Sequence, residues 1–215
     1  MTSTDRSSRT EEDLQRTVRA LAREFKTDKV FIIGSQAILL SWPEAPVAMK
    51  MSPEIDAYPA NAKIWETEER NRKPGSAAEA SEHIHALFGE GSHFHQTHGF
   101  YIDGVDENTA KLPKGWNARA IVKRLEVDGR QVMAVAPAPD DIIVSKLARL
   151  DPKDKSFIEA YHAVRPLDLE IMEKRIALSN FEPAIAERAI SFIRKLTREH
   201  NGGGDGAGGG AGGGP

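Results

Sequence analysis

V-F-I-I-G-S-Q-A-I-L-L, residues Val30 to Leu40, followed after a Pro-broken loop by M-S-P-E-I-D-A-Y-P, Met51 to Pro59, is the stretch whose reading decides the fold. An apolar β-type run ends at Gly34-Ser35 and turns straight into a short apolar helix. A second strand then carries Glu54 and Asp56 on either side of Ile55. Side chains alternate along a strand, so Glu54 and Asp56 share a face. Two carboxylates so placed repel each other unless a positive charge stands between them, and a divalent cation with oxygen ligands meets that need. With Gly34-Ser35 beside the pair, its backbone N–H groups and the helix start behind it would hold a phosphate. A phosphate clamp next to a metal clamp is the equipment for phosphoryl or nucleotidyl transfer. The same residues taken singly have a plainer structural reading, an acidic pair on an exposed strand face and a Gly-Ser turn.

Working outward, the 215 residues support one domain, or one plus a helical appendage, with room for a real core. The formal charge of −3 and pI near 6.2 give no global basic field that would announce a nucleic-acid binder. The absence of cysteine excludes disulfides, thiolate catalysis and Cys-based zinc sites. The N-terminus lacks an apolar signal core and no apolar run approaches membrane-spanning length, so a soluble cytoplasmic protein with no membrane partner is expected. Residues 1–10 are polar and read as disordered, and residues 201–215 read as a flexible Gly-rich tail. Between them, 11–136 reads as a sheet domain and 137–200 as a helical part.

Leu14, Val18, Leu21, Ala22 and Phe25 fall on one face at helical spacing, which places a helix over Glu11 to Phe25. Ala60 to Arg72 is helix-compatible and ends at Lys73-Pro74-Gly75. Ser76 with Glu79 makes a capping box that opens a helix through about Phe88. A polar loop follows Gly89, and five of the seven histidines (His83, His85, His93, His95 and His98) fall between His83 and His98. They read as the rim of an active site, as plain surface histidines, or as a His-dependent metal site. Gly99 to Asp106 reads as a third strand. Asp128-Gly129 joins two strand-like runs, Asn117 to Val127 and Arg130 to Val135, as a hairpin. Pro139-Asp140 starts a helix with Ile142, Ile143, Leu147 and Leu150 inward, and Lys146 and Arg149 at the edge of that stripe. A cation there can sit over phosphates while its stem covers apolar surface. Pro152 interrupts the helix. Three more helices are expected, capped by Asp154 or Ser156, by Asp168 and by Asn180, and packed as a C-terminal bundle.

The order strand, Gly34-Ser35, helix, then strand with Glu54 and Asp56 resembles the nucleotidyltransferase superfamily related to DNA polymerase β. The downstream P-A-P-D-D-I-I-V-S-K-L-A-R-L-D-P-K-D, with S-P-E-I-D-A-Y-P upstream, looks like the nucleotidyltransferase domains related to AbiE-type toxins of toxin–antitoxin systems. The resemblance covers roughly Val30 to Ala160. It implies an α/β (α+β) fold, a mixed sheet with flanking helices and a C-terminal helical bundle. It further implies an NTP substrate, Mg²⁺ held by Glu54, Asp56 and a third carboxylate, and transfer of a nucleoside monophosphate to an RNA end or a protein hydroxyl, with an antitoxin as partner. Asp103 is the candidate third carboxylate, with Asp106 and Glu126 as rivals. By position, Lys146 and Asp154 match the group's helix lysine and downstream aspartate, with Asp154 orienting the acceptor or acting as its base. Gly34, Ser35, Lys146 and Arg149 would hold the nucleotide. The chain departs from the pattern in having Glu54 at the first acidic position and a long loop containing Pro43, Pro46 and Pro53. The alternative is a catalytically silent copy of the fold that serves as a binding or regulatory module.

Overall fold

Thr10 sets the first helix. Its Oγ1 accepts the Asp13 N–H at 3.3 Å while the Asp13 carboxylate accepts the Thr10 N–H at 2.9 Å. This reciprocal box satisfies the N-terminal donors of α1 (Glu11–Glu24). Leu14, Val18, Leu21 and Ala22 then form a face that is fully buried on the sheet. The computed structural model describes residues 8–75 and 77–202.

The sheet has five strands, β1 (Lys29–Ile32), β2 (Glu54–Pro59), β3 (Tyr101–Gly104), β4 (Ile121–Val127) and β5 (Arg130–Ala136), in the order β3-β2-β1-β5-β4. β1 runs antiparallel to β2 and parallel to β5. β2 and β3 are parallel, and β4 and β5 antiparallel. Asp128 and Gly129 have φ of 51° and 75°, the pair of positive values that a two-residue type I′ turn requires. Helices α2 (Ala62–Arg72), α3 (Ala80–Phe88) and α4 (His93–His98) fill the crossover between β2 and β3. After β5 come α5 (Pro139–Arg149), α6 (Pro152–Val164), α7 (Leu169–Ala177) and α8 (Pro183–Gly202). This is the mixed α/β architecture with a C-terminal set of helices that the sequence leads one to expect.

Several local expectations need correction. The stretch after Gly89 is not only a loop: Ser92 accepts the His95 N–H at 3.1 Å and starts α4. Ser76 lies outside the described residues, and α3 begins at Ala80 with Glu79 at the cap position. Asn117 is part of a 3-10 turn (Trp116–Arg119), and the strand starts at Ile121. Pro152 is the first residue of α6, where its missing N–H costs nothing, and the cap is Asp151 rather than Asp154 or Ser156. The last helix begins at Pro183, with the Glu182 carbonyl accepting the Ala186 N–H at 3.0 Å, so Asn180 does not cap it.

Of the N-terminal segment, residues 1–7 lie outside the described residues, while Arg9 is buried and its N–H donates to the Lys50 carbonyl at 2.8 Å. Of the Gly-rich tail, residues 203–215 lie outside them, and α8 runs on to Gly202. One hydrophobic cluster extends from Leu14 through the sheet to Ile193, so α5 to α8 share a core with the sheet. Among the described residues no helix is long and apolar enough to cross a membrane.

Thr10→Ala removes one half of the capping box and should lower stability by about 1 kcal/mol. The expected signature is a lower denaturant midpoint with an unchanged m-value.

Candidate active site

The site begins where β1 ends. Gly34 has φ 68° and ψ −161°, a conformation that side chains disfavour, and a Cβ there would overlap the Asp56 carboxylate. The Ile33 N–H donates to the Asp56 carbonyl at 2.9 Å and pins this approach. Glycine is required at 34 because the Asp56 side chain occupies the space. Ser35 then opens a 3-10 helix, Ser35–Leu40. The short helix expected after Gly34-Ser35 is therefore present as a tight 3-10 segment rather than an α-helix.

Strand register assembles the acids. Parallel pairing sets Asp56 against Asp103 and Glu54 against Tyr101. Glu54, Asp56 and Asp103 consequently line one cleft of about 290 Å³, together with Gly34, Ser35, Lys146 and Arg149. Asp106 is turned away: its Oδ1 accepts the Asn108 N–H at 2.7 Å in an exposed turn. Glu126 is exposed on β4, at the opposite edge of the sheet from β3. Of the three candidates for the third carboxylate, only Asp103 reaches the pair.

Burial comes first among the causes that push the Asp56 carboxyl up to about 7, followed by the charges of Glu54 and Asp103, with Lys146 opposing. The other two acids have partners. Glu54 accepts the Ser52 hydroxyl at 3.0 Å and the Tyr101 hydroxyl at 2.8 Å. His85 Nε2 lies 2.8 Å from the Asp103 carboxylate.

Lys146 enters from α5 on the far wall. Its Nζ donates to Ser35 Oγ at 2.8 Å and to Asp154 Oδ1 at 3.0 Å, and lies 4.4 Å from the centre of the Phe157 ring. Asp154 is fully buried on α6 and also accepts from Arg149 Nε at 3.0 Å and Nη2 at 3.1 Å. Burial lowers the Lys146 ammonium from its ordinary value, against the charge and hydrogen bond of Asp154. Burial would raise the Asp154 carboxyl, but Arg149 and Lys146 outweigh it and hold it below the usual range. Because Asp151 takes over the capping of α6, accepting the Asp154 N–H at 2.9 Å, the Asp154 carboxylate is left for the two cations.

Sequence reasoning missed Lys111 at this cleft and Tyr101 behind it, while His85 belongs to the histidine cluster read as a possible rim. Lys111 lines the cleft from the loop after β3 and has no ion-pair partner among the described residues. Tyr101 and His85 hold Glu54 and Asp103. The alternation of Y-I-D puts Tyr101 and Asp103 on one strand face, a signal that could have been read. The histidines disperse: His83 pairs with Glu24 at 2.7 Å, His95 packs on Tyr101 and His98 packs on Phe94. Among the described residues no set of three His, Asp or Glu side chains already converges in metal-ligating geometry.

A glycine-serine strand end pressed against a strand aspartate, with acids on either side and a helix lysine bridging from across the cleft, is a nucleotidyltransferase-like arrangement. The chain belongs to the family described as Nucleotidyltransferase of unknown function (DUF6036), which matches residues 12–197. No curated protein and no solved structure matches it.

Asp56 binds its proton more tightly in the folded than in the unfolded chain. Stability without ligand should therefore fall as pH rises from about 4 to about 7, and Asp56→Asn should flatten that slope in thermal melts across the window. Asp154→Ala strands a buried lysine and should cost about 3–5 kcal/mol by chemical denaturation.

Proposed function

We propose that this protein transfers a nucleoside monophosphate from an NTP to an acceptor hydroxyl with the help of Mg²⁺, as a distant relative of the DNA polymerase β superfamily and of AbiE-type toxins. The observation that carries this reading is the contact between Gly34 and Asp56. It brings a turn whose backbone N–H groups open a 3-10 helix within touching distance of a crowded carboxylate cluster. A glycine used only for turning needs no acid against it.

The residues fit a hard divalent ion. The donors are all oxygen, Asp56 is crowded by two further carboxylates, and Mg²⁺ is commonly held by one or two carboxylates with substrate phosphates completing the shell. Asp56 and Asp103, with Glu54 after release from Tyr101 or Ser52, would hold it. When bound, the ion supplies Lewis-acid neutralisation of phosphate oxygens.

The chain's own groups do the rest. Gly34 and Ser35 would grip the terminal phosphates through backbone N–H groups and the Ser35 hydroxyl. Lys146, already aligned on Ser35, would counter the charge that develops on the triphosphate. Lys146 and Arg149 share one carboxylate, so Lys111 adds the cation that a triphosphate would otherwise lack. Both Asp154 oxygens are engaged, which makes Asp154 a positioning residue for Lys146 and Arg149. The acceptor reading stays with an RNA end or a protein hydroxyl, in a cytoplasmic toxin–antitoxin setting with an antitoxin as partner.

The partners held by Glu54 and Asp103, and the lack of a converged three-ligand set, favour a second reading, that of a silent binding module. Labelled NTPs incubated with the protein, Mg²⁺, and cellular RNA and protein separate the two. Covalent label that chelator prevents, and that Asp56→Asn reduces by about a hundredfold or more, is the expected outcome. Label at equal rate in Asp56→Asn, or none with wild type, contradicts the transferase.

A further inference from the structure

A second cleft, of about 510 Å³, adjoins the first. Ser35, Glu54, Lys146 and Arg149 line both. The first cleft, at about 290 Å³, lies at the low end of the range for small-molecule sites and holds the acids and the Gly34-Ser35 turn. A nucleotide whose phosphates occupied it would need further space for its base. The second cleft opens just past the phosphate-facing residues.

Its lining suits a flat ring. Met49, Met51, Pro53 and Phe157 supply apolar surface, and thioether side chains adapt to planar partners. Gln36, next to Ser35, also lines it. The residue is 1% exposed, and neither its amide nitrogen nor its amide oxygen has a hydrogen-bond partner. A buried amide with both ends unsatisfied is unfavourable for the fold alone, since an apolar side chain of like shape would serve better. A carboxamide presents a donor and an acceptor side by side, the pattern with which glutamine recognises a base edge.

We infer that the second cleft is the subsite for the nucleobase of the NTP and that Gln36 determines which base is accepted. The inference rests on the nucleotide reading given above. The base lies against Met49, Met51 and Pro53, and its hydrogen-bonding edge meets the Gln36 amide once that covered side chain turns toward the cleft. The phosphates run back past Ser35 and Lys146 toward Asp56.

The test is calorimetric binding of the four Mg-NTPs and of Mg-tripolyphosphate to wild type, Gln36→Leu and Met51→Trp, with thermal melts of each protein without ligand. Wild type should bind at least one NTP about tenfold more tightly than another and than tripolyphosphate. Gln36→Leu should compress the spread among bases to within about threefold, leave tripolyphosphate affinity unchanged, and melt no lower than wild type. Met51→Trp should fill the cleft and weaken NTP binding about tenfold, again sparing tripolyphosphate. An unchanged NTP ranking in both variants overturns the inference, as does a wild type that binds tripolyphosphate as tightly as every NTP. A Gln36→Leu protein that melts lower and keeps the ranking assigns the amide to the fold and overturns it too. Failure of wild type to bind any NTP or tripolyphosphate overturns the nucleotide reading itself.

Discussion

The ammonium of Lys146 joins the two halves of this molecule. It leaves α5, covers the Phe157 ring, and reaches Ser35 at 2.8 Å and Asp154 at 3.0 Å, so one buried cation ties the end of β1 to α5 and α6. A buried charge of this kind is tolerable only with a close counter-charge, and Asp154 provides it. Arg149, reaching Asp154 from the solvent side, completes the set. The C-terminal helices therefore form a wall of the cleft that the sheet opens.

The opposite wall has the reverse problem. Glu54, Asp56 and Asp103 concentrate negative charge where β2 and β3 run in register, and the fold copes in three ways. Tyr101 and Ser52 donate to Glu54, His85 approaches Asp103, and Asp56 keeps its proton to about pH 7. A stable scaffold gains nothing from such crowding. It becomes intelligible if a cation takes the place of the proton, beside the Gly34 turn that lies against Asp56.

How much of this was legible in the sequence depended on the range of the rule involved. Gly34, Glu54 and Asp56 could be read because strand alternation and the special conformation of glycine act within a few residues. The Asp128-Gly129 hairpin was legible for the same reason. Lys146 and Arg149 followed from helical spacing, whereas the choice of Asp103 over Asp106 and Glu126 needed the register of β2 against β3. The six residues of α4 are too few to show a helical period, and Asp151-Pro152, a break by sequence, is a cap and a first turn. Lys111, Tyr101 and Gln36 escaped, and His85 could not be singled out from its cluster, because their significance lies in what they meet across the fold, which local sequence does not encode.

The most direct measurement is the number of protons released when Mg²⁺ binds, obtained by calorimetric titration at pH 7 in buffers of different ionisation enthalpy. An ion that displaces the Asp56 proton should release about half a proton at that pH, and Asp56→Asn should abolish the release. Binding without proton release, release that persists in Asp56→Asn, or no binding up to millimolar Mg²⁺ in the presence of tripolyphosphate would contradict a metal-assisted site built on these acids.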